Sequence, residues 1–141
     1  MSDQPSTTAI FCDDVRHEVG NKISLIGCYA DELIVDRLPA SLPKLAVHVR
    51  VTSPVGVPFR KLLFVARLGE HVLGELAAPD QELRSMASGS GPSLKANAVL
   101  ILTPFQVSTP GLLCVEVETE YGTSVAGTLQ IRQRRTDEPA S

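Results

Sequence analysis

The sequence predicts an all-β fold: an antiparallel β-sandwich of the immunoglobulin-like type, with seven to eight strands and at most one short helix. Three observations carry that expectation. Apolar residues recur with period two over most of residues 8–132. Turn residues punctuate the runs at short intervals, as they do between the strands of a sandwich. The chain's 141 residues suffice for one core without disulfides or metal, but leave too little for a second. Residues 1–7 and 134–141 are polar, contain Pro, and read as disordered tails around a single domain at 8–133.

The first element is the stretch FCDDVRHEVGNKISLIGCY, residues 11–29. Pairing TAIFCDDVR with KISLIGCY across the loop Val19-Gly20-Asn21 sets Glu18 opposite Lys22, Val15 opposite Leu25 and Phe11 opposite Tyr29. The same register sets Asp13 opposite Gly27. Strand neighbours point to opposite faces, so Asp13 falls with Phe11, Val15, Ile23 and Leu25, and Asp14 falls with Arg16, Glu18 and Lys22. Two diverging carboxylates cannot share one substrate or ion, which takes convergent groups about 5 to 10 Å apart. Asp14 is expected to be solvated or paired with Arg16. Asp13, turned inward beside a residue with no side chain, is expected to accept backbone N–H bonds, so that Asp13, Gly20 and Gly27 form a structural set.

In LAVHVRV, Leu45, Val47, Val49 and Val51 share one face and Ala46, His48 and Arg50 the other, the pattern of a half-buried strand. FRKLLFVARL places Leu62, Phe64, Ala66 and Leu68 on one face, and Gly69-Glu70 turns the chain into HVLGELA as a hairpin. Only PDQELRSMA reads as helical, with Asp80 as its N-cap, and SGSGPS follows it as a flexible connection. LKANAVLILTPFQV is apolar on both faces near its middle, and Thr103-Pro104 interrupts its donor row, as happens at a sheet edge or a bulge. Finally GLLCVEVETE and SVAGTLQIRQ meet across Tyr121-Gly122-Thr123. That pairing puts Leu113, Val115 and Val117 on the same face as Gly127, Leu129 and Ile131, and leaves Glu116, Glu118 and Glu120 toward water.

Composition narrows the function. A net charge of −3 with 21% charged residues lacks the basic surplus of a nucleic-acid binder, and 4% aromatics with no Trp supply few stacking surfaces. The N-terminus has no signal-peptide pattern and no apolar run is long enough to span a bilayer, so a cytoplasmic location is expected. Cys12, Cys28 and Cys114 are odd in number and widely spaced, which suits reduced thiols, although Cys12 and Cys28 face each other in the proposed register. His17, His48 and His71 show no metal-ligand spacing and read as scattered surface residues. SGSGPSLK is no phosphate loop, no GxSxG elbow is present, and the run RQRR reads as a solvated strand end.

The string CDDVRHEVGNKISLIGCY, Cys12 to Tyr29, resembles the opening signature of a family of small uncharacterised bacterial proteins. In that signature Cys-Asp-Asp, an Arg, an acidic residue, a Lys and a Ser-Leu-Ile-Gly run precede a β-rich remainder. Here they correspond to Cys12, Asp13, Asp14, Arg16, Glu18, Lys22, Ser24, Leu25, Ile26 and Gly27. The resemblance implies a β-rich fold and no assigned activity.

From the residues the expected function is a non-catalytic module that binds a protein partner or itself, with no cofactor, metal, nucleic acid or membrane. The doubly apolar AVLIL strand motivates this, and Val99, Ile101 and Phe105 are the candidate interface residues of a homodimer. The alternative is a small-ligand-binding or enzymatic domain using Asp13 and Arg16 near Gly27.

Overall fold

The computed structural model describes residues 5–20, 22–53, 59–78 and 95–138. The expected helix PDQELRSMA, the SGSGPS connection and Asn21 lie outside the described residues. Within them the chain forms eleven strands and no helix: β1 (Ser6–Glu18), β2 (Lys22–Cys28), β3 (Glu32–Val35), β4 (Ala40–Leu42), β5 (Leu45–Thr52), β6 (Leu62–Leu68), β7 (His71–Ala77), β8 (Lys95–Leu102), β9 (Phe105–Val107), β10 (Gly111–Thr119) and β11 (Gly122–Gln133). Three strands exceed the expected count. The segment 31–42 supplies β3 and β4, and Pro104, which has no N–H for a ladder, divides the AVLIL run from FQV, separating β8 from β9.

The strands form a four-stranded sheet, ordered β2-β1-β5-β8, a five-stranded sheet, ordered β3-β11-β10-β6-β7, and the short pair β4-β9. All pairings are antiparallel except β3 with β11, so the second sheet is mixed, and the edge strands of both sheets keep them from closing into a barrel. The inward faces meet in one core. Leu45, Val47, Val49 and Val51 from β5 and Ala98, Leu100 and Leu102 from β8 belong to the same buried cluster as Leu113, Val115, Val117, Leu129 and Ile131. Each such aliphatic side chain contributes about 1.5 to 3 kcal/mol when fully buried.

The first hairpin has the register read from its sequence, with Glu18 opposite Lys22 and Val15 opposite Leu25, and Gly20 takes the left-handed φ of +86° in its turn. The last hairpin also aligns Leu113 with Leu129 and Val115 with Gly127. Its turn is tighter than predicted. Thr119 pairs with Gly122, and a β-bulge after Val115 returns the apolar residues of both strands to one face, in a register that differs from the one the expected loop implies. Gly127 also lets the sheets approach, because a Cβ there would lie 3.0 Å from the Ala9 Cβ of β1.

Both ends of the domain reach further than the patterning indicates. Ser6 and Thr7 already pair with Thr52 and Val51. Beyond Gln133, the Arg134 amide donates to the Val35 carbonyl (2.7 Å), and the Arg132 guanidinium binds both oxygens of Glu138 at 2.6 and 2.8 Å. Residues 134–138 are therefore fastened to the body rather than loose.

Candidate functional site

Alternation along β1, β5 and β8 sends every second side chain to the outer face of the four-stranded sheet. There the registers line up two rows. Ile10, His48 and Val99 form one, and Cys28, Cys12, Ala46 and Ile101 form the next. Ile26 stands beside the second row, opposite Asp14. Cys12 and Ala46 are small enough to be covered by their neighbours, while Ile10, Ile26 and Ile101 keep 42%, 43% and 45% of their surface exposed. The result is a nearly neutral apolar strip across all four strands. His48 lies within it, 6% exposed rather than on the surface as its spacing suggested. Burial pushes its imidazole below the usual range and Arg50 adds to that, while a hydrogen bond with Asn97 opposes both.

Of the three candidate interface residues, Val99 and Ile101 lie on this face. Phe105 does not. It is 2% exposed in the core, because β9 leaves β8 after Pro104 and turns its aromatic ring inward.

The aspartates are parted as the alternation requires, but their partners differ from those predicted. β5 begins at Leu45, so beyond Cys12 the strand β1 pairs, among the described strands, with β2 alone and runs on as a two-stranded ribbon. Asp13 is therefore exposed rather than buried. It accepts a hydrogen bond from the Tyr29 hydroxyl (2.6 Å) instead of backbone N–H groups. Its carboxylate lies over Gly27, whose φ is +69°, and a Cβ on that glycine would meet the Asp13 Oδ2 at 2.2 Å. Burial first, and then the bond to Asp13, push the Tyr29 hydroxyl up to about 12. Asp14 accepts from Lys44 (2.5 Å) and from the Val15 amide (2.9 Å), and these contacts, the Lys44 hydrogen bond foremost, hold its carboxyl below the usual range. Arg16 turns to Glu18 at 3.6 Å. Asp13, Gly20 and Gly27 thus shape the ribbon, and Asp13 and Arg16 stand on opposite faces of it.

The outer face of the five-stranded sheet is built differently. Arg67 pairs with Glu116 (2.6 Å), Lys61 with Glu118 (2.5 Å) and Arg132 with Glu32. The exposed apolar residues Val72 and Val125 sit in register with Arg67 and Glu116. A groove of about 510 Å³ runs between the edge strands β7 and β8, lined by Leu73, Leu76, Val99, Ile101, Leu102 and the Phe105 region, without Asp13 or Arg16. Among the described residues no three His, Cys, Asp or Glu side chains are grouped to hold a metal ion, and no helix is long and apolar enough to cross a membrane.

Residues 7–132 match a family described as a family of unknown function, DUF6941. The chain belongs to this family. No curated protein matches it. For this DUF6941 chain, sequence reasoning missed the Lys44 contact of Asp14, the Tyr29 contact of Asp13 and the burial of His48. The first follows from strand order: the β1–β5 register, in which Cys12 faces Ala46, brings Lys44 to Asp14.

Proposed function

We propose that this chain is a non-catalytic, immunoglobulin-like β-sandwich of the bacterial cytoplasm that works by protein binding, first of all by pairing with a second copy of itself. The observation that carries the reading is the apolar strip on the outer face of the four-stranded sheet, where Ile10, Ile26 and Ile101 stay exposed around Cys12, Ala46 and Val99. Contiguous exposed apolar surface marks interaction sites, and a symmetric pair covers one patch with its own copy. The fold's two facing sheets, held by one core, support the sandwich assignment.

The alternative reading, a ligand or enzyme site at Asp13 and Arg16, loses its motivation. The Tyr29 hydroxyl holds Asp13, and Arg16 projects from the other face. Size exclusion with light scattering at micromolar concentration tests the proposal. The expected mass is twice that of the 15.1 kDa chain, Ile101→Lys should reduce it to one chain, and Val125→Lys on the other sheet should leave the dimer intact. A single-chain mass for the unsubstituted protein overturns self-association.

A further inference from the structure

The first hairpin sets Cys12 directly opposite Cys28. The Tyr29 amide donates to the Phe11 carbonyl at 2.8 Å, which places the flanking ladder bond one residue beyond the cysteines. The cysteines are thereby a non-hydrogen-bonded pair, the narrower class of antiparallel neighbours, with Cα atoms about 4.5 Å apart and both side chains on one face. That separation falls within the window of about 4.4 to 6.8 Å that a disulfide spans. Both thiols are free, Cys28 exposed and Cys12 buried. An oxidant arriving from solvent meets Cys28, while Cys12 is reached through its strand neighbour. Cys114 lies on β10 in the other sheet, opposite Thr128 and Arg67, and takes no part.

We propose that Cys12 and Cys28 are an oxidisable dithiol, a modification site at the base of the β1–β2 ribbon. The oxidant class is a small-molecule disulfide such as oxidised glutathione. The Cys28 thiol gives up its proton to solvent, and the thiolate attacks one sulfur of the oxidant, forming a mixed disulfide and expelling one thiolate. Cys12 then loses its proton and attacks the Cys28 sulfur, which releases the second thiolate and closes the Cys12–Cys28 bond. Two protein thiols are oxidised and one small disulfide is reduced to two thiols. Burial, with Cys28 adding to it, raises the Cys12 thiol, so little of it is thiolate and its attack on the mixed disulfide is the slower step. The bond would fasten β1 to β2 where β1 parts from β5. The pair lies on the face proposed for self-association, at its β2 end, but its chemistry does not depend on that proposal.

The test is incubation of the folded chain with oxidised glutathione, followed by alkylation, intact mass and peptide mapping without reductant. The expected product has lost two hydrogens, carries a Cys12–Cys28 cross-link and is alkylated at Cys114 alone, and dithiothreitol restores three alkylated sites. Cys12→Ser should stop at a glutathione adduct on Cys28, and Cys28→Ser should form no cross-link. A glutathione adduct that persists on Cys28 of the unsubstituted chain overturns the proposal, as does a link between two chains or three alkylated sites after oxidation.

Discussion

Strands β2 and β10 both carry apolar side chains on alternate positions, yet one has no buried residue and the other is the centre of the fold. In KISLIGC no residue is buried, and Ile23 and Ile26 keep 38% and 43% of their surface. In GLLCVEVET, Leu113, Val115 and Val117 keep 1% or less. β2 is an edge strand paired with β1 alone, whereas β10 lies between β11 and β6 and faces β5 and β8 across the core. Alternation therefore tells which residues share a face. It does not tell whether another layer lies over that face.

The largest effect that bears on this contrast is expected from matched truncations. Leu113→Ala should cost about 2 to 5 kcal/mol, as buried leucines do, while Leu25→Ala, on the ribbon opposite Val15, should cost about 0.5 kcal/mol. Comparable losses in denaturant melts would mean that β2 is covered in solution. Gly27→Ala ranks next. Its left-handed backbone costs about 1 to 2 kcal/mol, and the displaced Asp13 carboxylate forfeits its solvent-exposed tyrosine bond, about 0.5 to 1.5 kcal/mol. Gly69→Ala, at φ +61° with open space around it, should cost the backbone part only. Equal costs at the two glycines would remove Asp13 from the account.

A smaller effect is optical. Tyr29 should ionise at about 12 in an ultraviolet titration, and Asp13→Asn should lower that value by removing a charge that opposes the phenolate; an unchanged titration would show that burial alone sets it. The smallest effect is a pH slope at His48, whose folded pKa is depressed. Above about pH 6.5 both folded and unfolded imidazoles are neutral. As the pH falls through that value the unfolded chain takes up a proton that the folded chain resists, so stability declines toward the lower folded pKa. His48→Gln should flatten the slope in melts between about pH 7.5 and 5.5, relative to the unsubstituted chain.

The register of the first hairpin and the shared faces of the last were legible because they depend on neighbours in sequence, on turn residues and on alternation. What escaped depends on strand order. Asp13 reads as inward because it shares a face with Phe11, but the β1–β5 ladder ends at Cys12, and among the described strands only β2 pairs with β1 beyond that point. His48 reads as outward and is buried because β1 and β8 flank β5 on both sides. Phe105 reads as a continuation of the AVLIL strand, and the break at Pro104 sends it into the core. β3 and β4 are too short to show a period, at four and three residues.

The parallel pairing of β3 with β11 constrains how the chain is made. Glu32 and Arg132 bond across a separation of 100 residues, and β11 fills the space between β3 and β10. Among the described strands β11 is the last to leave the ribosome. Until it does, β3 and β10 present open hydrogen-bonding edges in the nascent chain, and the larger sheet cannot be completed. Folding of this sheet must then await the emergence of β11, and proceeds in the milliseconds-to-seconds range of folds dominated by non-local pairing. In that interval the unfinished β10 edge is the natural point of contact for a chaperone, or for the wrong strand of a neighbouring chain.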